Sequence, residues 1–280
     1  MPKYDPEIIT RHFDNIEHDE WSRLDKTPIG KAQFHIHNFY LHKYVKKGNR
    51  VLEIGPGPGR FTIELAKLGS RIAIVDISDL QLRLNKERVE EAGFEDSVEW
   101  RKKRDILNLE GIDDSSFDCV VCYGGPLSYV LEFVHDALNE IIRVIKKGGI
   151  ILSSVMSTLG TYHHLINDVF DDEVGIELER FDELTRTGDI IGDLAGHGTH
   201  QCKMYRWSEF QEVLAKHPLE ILDVSAANFL SNGLANEEFL TSLMKKDREW
   251  NMFLKWELDF CHEPGAIDSG THFIVILKKK

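Results

Sequence analysis

The stretch Val51-Leu52-Glu53-Ile54-Gly55-Pro56-Gly57-Pro58-Gly59-Arg60-Phe61 sets three alternate glycines between a short apolar run and a helical pattern. The apolar run reads as a buried strand, and Phe61 to Leu68 as the following helix, closed by Gly69. A turn this tight needs residues without a Cβ, so that the backbone can approach a ligand and the helix can offer its first N–H groups. Asp76 stands twenty-one positions after Gly55, at the end of a second apolar run from Arg71 to Val75. An acid there can accept from both hydroxyls of a ribose. Glycine turn and acid together predict a nucleoside site.

Downstream, Ser78 caps a helix running to Ala92 and stopped by Gly93. Val98 to Lys102 reads as a third strand and Asp118 to Tyr123 as a fourth. Leu131 to Ile145 reads as a helix stopped by Gly148 and Gly149, and Ile150 to Met156 as a fifth strand. Strands alternating with helices predict an α/β fold, a mostly parallel sheet with helices on both faces. After Met156 the pattern lapses for about fifty residues, too long for a simple connection and therefore an insertion. Ser208 with Gln211 reads as a capping box, Leu219 to Ser225 as a sixth strand and Thr271 to Leu277 as the last. Between these strands Asn236 to Cys261 is helical in pattern, with Phe239, Leu243, Trp250, Phe253, Leu254 and Trp256 as its apolar surface. The first residues are also helical in period, with Ile8, Ile9, Phe13 and Ile16, and Thr27-Pro28 opens a second helix. The expected division is a helical cap at 1–48, a core at 49–156, a lid at 157–205, and completion of the core at 206–280 with a helical insertion near 234–262.

The 280 residues are 42% hydrophobic and 29% charged, which excludes disorder as the main state. Lys plus Arg minus Asp plus Glu is 34 − 47 = −13, a field that repels nucleic acid and anionic membranes. The densest basic stretch, Arg101 to Arg104, is short. The longest apolar runs, Arg71 to Val75 and Ile150 to Val155, fall far below a membrane span. Four cysteines and a start without an apolar leader point to the cytosol. Cys119 and Cys122 fall on opposite faces of one strand and read as core residues rather than a metal pair. His35, His37 and His42 have no Cys or carboxylate at ligand spacing among them, so no metal is expected.

A nucleoside site of this form suits either a dinucleotide oxidoreductase or an S-adenosylmethionine (SAM) methyltransferase. A dinucleotide fingerprint wants glycine where Arg60 stands. Glu53, inside the first strand, suits a ligand bearing an ammonium group better than a diphosphate. The chain resembles the class I methyltransferases, whose first motif, E/D-x-G-x-G-x-G, is matched by Glu53, Gly55, Gly57 and Gly59. Arg104-Asp105-Ile106 falls at that family's adenine acid and its apolar neighbour. Phe117 to Tyr123 resembles its fourth strand, and Leu138 to Gly149 its helix, basic turn and paired glycines. Finer likeness is to a bacterial subgroup of small-molecule methyltransferases. It lies in Glu20-Trp21-Ser22-Arg23-Leu24, Gly57-Pro58-Gly59-Arg60-Phe61 and Gly125-Pro126-Leu127. Where that subgroup commonly has His after G-P-L-Y, this chain has Ser128 and Tyr129.

The resemblance implies a seven-stranded Rossmann-like sheet with an antiparallel last strand. It implies SAM as cofactor, held by Trp21, Arg23, Glu53, Gly55, Pro56, Gly57, Gly59, Asp76, Ile77, Asp105, Ile106, Tyr123 and Gly124. Both insertions leave the carboxyl ends of strands and are expected to roof the site. Methyl transfer is an in-line displacement with a positively charged leaving group, so positioning and exclusion of water supply much of the catalysis. If the acceptor must lose a proton, the candidate bases are His200 first, then Tyr129, His197 and His164. A small-molecule acceptor is expected, with no nucleic acid or membrane partner. The acceptor atom stays open among O, N, C and S, as does a choice between monomer and homodimer. A SAM-binding regulator or partner subunit without chemistry is the alternative.

Overall fold

The structure, a computed structural model, describes residues 4–15, 17–170, 178–192, 200–233 and 237–280. Three helices lead the chain, α1 (Pro6–Asn15), α2 (Glu17–Lys26) and α3 (Pro28–Tyr44). The Thr27 hydroxyl caps α3 by accepting from Gly30 N at 3.0 Å. The alternation then runs β1 (Arg50–Ile54), α4 (Arg60–Lys67), β2 (Arg71–Asp76), α5 (Asp79–Glu91), β3 (Val98–Lys103) and β4 (Phe117–Cys122). A short α6 (Pro126–Tyr129), α7 (Val134–Val144) and β5 (Ile145–Met156) complete the first half. The second half holds α8 (Thr158–Val169), α9 (Leu178–Thr187), the antiparallel pair β6 (Asp189–Gly192) and β7 (His200–Lys203), and α10 (Trp207–Leu214). It closes with β8 (Leu219–Ala226), α11 (Leu230–Gly233), α12 (Glu237–Met244), α13 (Asp247–Cys261) and β9 (His272–Lys279).

Seven strands make one sheet in the order β3-β2-β1-β4-β5-β9-β8, with β9 antiparallel to both neighbours. The central strands are buried on both faces, as a sheet covered twice by helices requires. Residues alternate between the two cores: Leu52, Val75, Val120 and Cys122 face α7 and α10, while Val51, Ile74, Cys119 and Val121 face α3 and α4. Cys119 and Cys122 are therefore buried thiols on opposite faces, each pushed up to about 12 by burial. The strand order reverses between β1 and β4, where the carboxyl ends diverge and leave a crevice.

Several boundaries differ from expectation, each for a tertiary reason. The paired glycines do not end α7; it ends at Val144, and Gly148 (φ +75°) sits within the long β5 beside a register shift against β4. The capping residue of α10 is not Ser208. The cap lies two positions earlier, at Arg206, with Glu209 Oε2 accepting from Arg206 N at 2.9 Å and Asp268 Oδ1 accepting from Trp207 N at 2.7 Å. The α3 helix is more than a cap, since Ile36, Tyr40 and Leu41 form part of one core face. Asn236 to Cys261 is split into α12 and α13; Trp250 and Phe253 pack with Leu240, while Phe239 and Trp256 stay exposed.

Candidate functional site

The crevice is a cavity walled by the turn after β1 (Gly55, Pro56, Gly57), the end of β2 (Asp76, Ile77), the segment after β3 (Arg104, Asp105, Ile106) and the end of β4 (Tyr123, Gly124). Tyr4 just before α1, Ile9 and Phe13 of α1, Arg23 of α2, and Phe61, Gln81, Pro126 and Tyr129 complete it. Counted out to its mouth, open solvent included, the space is about 1040 Å³.

The glycine turn is built as its composition requires. Gly55 and Gly57 have φ of +65° and +54°, and Gly59, at +94°, is the residue before α4. A Cβ on Gly55 would stand 2.9 Å from the Pro126 ring, so the turn and α6 touch across the cavity floor. Gly59 itself lies behind the wall: its would-be Cβ meets Asn85 Nδ2 at 2.8 Å. Asn85 Nδ2 donates to Thr62 Oγ1 at 2.9 Å, and the Thr62 hydroxyl donates to Glu53 Oε2 at 2.6 Å. Behind them Arg101 donates to Asn85 Oδ1 and grips Glu95 with both terminal nitrogens. Glu53 is thus a buried carboxyl held by a fixed relay. Burial pushes it up to about 7, against the pull of Thr62 and Arg101.

Asp76 is held in the same manner. Its Oδ1 accepts from Ser78 N at 2.9 Å and its Oδ2 from Gly57 N at 3.4 Å. Burial still raises it to about 6, opposed by these N–H groups and reinforced by the charge of Asp14. Gln81 also lines the cavity; its Nε2 donates to Phe13 O at 2.8 Å, while its buried Oε1 has no partner. Asp105 accepts from Leu107 N at 2.9 Å and from the Tyr4 hydroxyl at 2.7 Å. That hydrogen bond and the edge contact of Phe13 with Tyr129 lay α1 across the cavity.

The expected residues separate into three groups. Arg23, Glu53, Gly55, Pro56, Gly57, Asp76, Ile77, Asp105, Ile106, Tyr123, Gly124 and Tyr129 come together at the cavity. Trp21 does not: it lies under the Arg60 guanidinium at 4.1 Å, its carbonyl accepts from Arg60 at 2.6 Å, and Arg88 approaches the same ring. The cation–π contact uses the indole to dock α2 on α4, behind Arg60, which itself lines the cavity. His164 is exposed on α8 and is no part of the cavity, because α8 turns that position outward. His197 lies outside the described residues. The backbone of His200 is in β7, paired with Gly192, and β7 touches α1; its side chain lies outside what is described.

Tyr4, Phe13, Phe61 and Gln81 escaped the sequence reading. The helical period of Ile9 and Phe13 marked an apolar face, but nothing local told what that face would cover. Among the described residues, no group of three His, Cys, Asp or Glu is placed to hold a metal ion. No helix there is long and apolar enough to cross a membrane.

A family model described as a methyltransferase domain matches residues 51–149, the β1 to β5 unit with its glycine turn and both buried acids. Residues 51–149 are similar to that domain, and the seven-stranded sheet has the class I SAM-dependent methyltransferase fold. A provisionally assigned methyltransferase of Geobacillus sp. (strain WCH70) is 27% identical over 204 residues, 66% of this chain and 80% of that protein. The ubiquinone/menaquinone biosynthesis C-methyltransferase of Cronobacter sakazakii is 26% identical, over 61% of this chain and 64% of its own length. Among solved structures, a cyclase has the same fold at TM-score 0.55 and 18% identity, covering 87% of this chain and 80% of its own. The likeness covers the fold, while the reaction has to be argued from the site.

Proposed function

We propose that the chain transfers the methyl group of SAM to a small-molecule acceptor. The observation that carries this reading is the pair of buried carboxyls, Glu53 and Asp76, at neighbouring strand ends in one roofed cavity. Each is raised by burial, so each gains from a ligand that brings it a cation or hydrogen-bond donors. Asp76 would take the ribose hydroxyls and Glu53 the ammonium. Ile77, Ile106 and Asp105 would hold the adenine, with the unpartnered Gln81 Oε1 as a further acceptor for the nucleoside. Arg23 would neutralise the carboxylate. When bound, SAM supplies an electrophilic methyl carbon on a sulfonium; the chain's part is to orient the two reactants and exclude water.

A sulfonium is also favoured over aromatic faces, and Phe13, Phe61, Tyr123 and Tyr129 wall the cavity. The acidic net charge and the roof of α1 suit a small metabolite in the cytosol better than a polymer. Incubation of the chain with labelled SAM and a metabolite extract, with mass identification of labelled products, tests the reading. A labelled small molecule supports it; SAM binding without transfer to any acceptor supports the second reading, a SAM-binding protein without methyl transfer. The likeness to a cyclase favours keeping that second reading, since the same fold serves other chemistry.

Proton linkage gives an independent check. In the free protein Glu53 holds its proton up to about pH 7 and Asp76 to about pH 6. An ammonium and ribose donors lower both values in the complex. Affinity is therefore full above the free-protein values and falls as pH drops through them. Calorimetry near pH 6.5 in buffers of different ionisation enthalpy is expected to show net proton release on SAM binding. A Kd constant from about pH 5.5 to 8 would place the ammonium away from Glu53.

For proton removal from the acceptor, Tyr129 is the candidate whose ring lines the cavity, and His200 stays a candidate through the approach of β7 to α1. Tyr129→Phe and His200→Ala are each expected to keep SAM affinity. The one that removes the base lowers turnover by about 10² to 10⁴-fold. If both fall only a few-fold, catalysis rests on proximity and desolvation.

A further inference from the structure

A chain of side-chain hydrogen bonds links Asn228, Gln33 and Thr271 to His272. Thr271 N–H can only donate, and it meets Asn228 Oδ1 at 3.3 Å, which sets that amide with its oxygen toward Thr271. The same oxygen lies 3.4 Å from the Gln33 side-chain nitrogen, so the Gln33 group there is the NH₂. That NH₂ also donates to Thr271 Oγ1 at 2.8 Å. The Thr271 hydroxyl, which accepts from Gln33, has His272 Nδ1 3.2 Å away as an acceptor for its own proton. An imidazole that accepts at Nδ1 carries its hydrogen on Nε2. The ring is neutral: burial, the charge of Arg23 and the neighbouring His37 push His272 down to about 3.

The Nε2 end faces the carboxyl side of the sheet. It lies 3.7 Å from where a Cβ on Gly125 would stand, a point also met by Tyr129 Cε2 at 3.6 Å and Met156 Cγ at 3.4 Å. Gly124, Pro126 and Tyr129, around Gly125, are cavity walls, and His272 is only part-buried. Tyr129 and Met156 in turn pack on the apolar cluster of the 157–205 insertion. His272 therefore stands on a core strand between the nucleoside cavity and that insertion. With Nδ1 accepting from Thr271, its Nε2 offers a donor there.

We propose that His272 Nε2–H binds an anionic oxygen of the methyl acceptor beside Gly125. This rests on the methyl-transfer reading and narrows it to acceptors that carry such an oxygen, a carboxylate in the simplest case, rather than basic amines. It also takes His272 out of the role of base, with Thr271 donating to Nδ1 and Nε2 carrying the hydrogen. In this account Thr271 and Gln33 are positioning residues, acting through the ring.

The test is ¹⁵N NMR of the imidazoles in the full chain, free and with S-adenosylhomocysteine, with the His272 signals assigned by their loss in His272→Gln. A neutral Nε2–H tautomer from about pH 5 to 8 is expected. Acetate should move the Nε2 signal and methylammonium should not. Thr271→Val, which removes the donor to Nδ1, is expected to mix the tautomers and weaken acetate binding about tenfold. A ring protonated on Nδ1, a cationic ring at about pH 6, or a His272 signal indifferent to acetate overturns the proposal. Once labelling has identified an acceptor, His272→Phe is expected to raise its KM about tenfold with SAM affinity unchanged; a cationic acceptor without an anionic oxygen also overturns it. Absence of S-adenosylhomocysteine binding would instead count against the methyl-transfer reading, while the tautomer and the acetate response are still read on the free chain.

Discussion

Asp76→Ala is expected to weaken SAM binding by at least about two orders of magnitude and to leave the fold intact. Two hydrogen bonds to a charged acceptor are worth about 1.5 to 3 kcal/mol each, and both are lost together. The cost to the free protein is small, because two effects oppose one another. Ser78 N and Gly57 N lose an acceptor, but a carboxyl raised to about 6 by burial is also removed. Ser78 keeps its own cap, accepting from Gln81 N at 3.1 Å. Asp76→Asn, which keeps an acceptor without the charge, should fall between. Titration calorimetry and a thermal melt read the two quantities separately. Undiminished SAM affinity in the alanine variant would falsify the assignment of Asp76 to the ribose, and tight NAD binding in its place would restore the oxidoreductase reading.

Gly160→Ala is expected to be among the most destabilising single substitutions outside the cavity. A Cβ on Gly160 would stand 1.7 Å from the Gly270 carbonyl oxygen and 2.2 Å from its carbon, both backbone atoms that cannot rotate away. The crossing is pinned on every side. Ser157 N donates to Thr271 O at 2.9 Å, and the Ser157 hydroxyl donates to Asp268 O at 2.8 Å. Asn232 Nδ2 donates to both Gly160 O and Ser269 O. Even one methyl must push the start of α8 off the segment before β9 and break several of these bonds. A loss of about 3 to 5 kcal/mol follows, within the large class of core overpacking. For a chain of this size, that is a fall in Tm of roughly 6 to 15 °C. SAM affinity should change only a few-fold, since none of these residues lines the nucleoside cavity. An alanine variant that melts with the native chain would show that the crossing relaxes at no cost.

The two substitutions differ in what a reader of the sequence could foresee. Asp76 was legible because its role depends on spacing: a strand, a glycine turn, a helix and a second strand occupy a fixed number of residues, and the acid falls at the end of the last. Gly160 was not legible, as its partner is Gly270, more than a hundred positions away, and neither has any local signal of the crossing. The same distinction divides the site. Glu53, Gly55, Gly57 and Ile77 lie within the local unit and were named from it. The stacking of Trp21 on Arg60 was not legible, because a motif shows that a residue is near the turn without showing which face of Arg60 its ring will take.

By itself the sequence determined the alternation of strands and helices from β1 to β5, the opposite faces of Cys119 and Cys122, and the nucleoside-binding turn. Periods of 2 and 3.6 and the demand for glycine at positive φ act over a few residues, so they are written locally. Only the tertiary structure decided that β9 runs between β5 and β8, that α1 roofs the cavity through Tyr4 and Phe13, and that Gln33, Asn228 and Thr271 orient His272. Those arrangements join residues as much as 238 positions apart, as Gln33 and Thr271 are. Complementary shape and paired donors fix such contacts once the core has packed, and neither leaves a periodic trace in the chain.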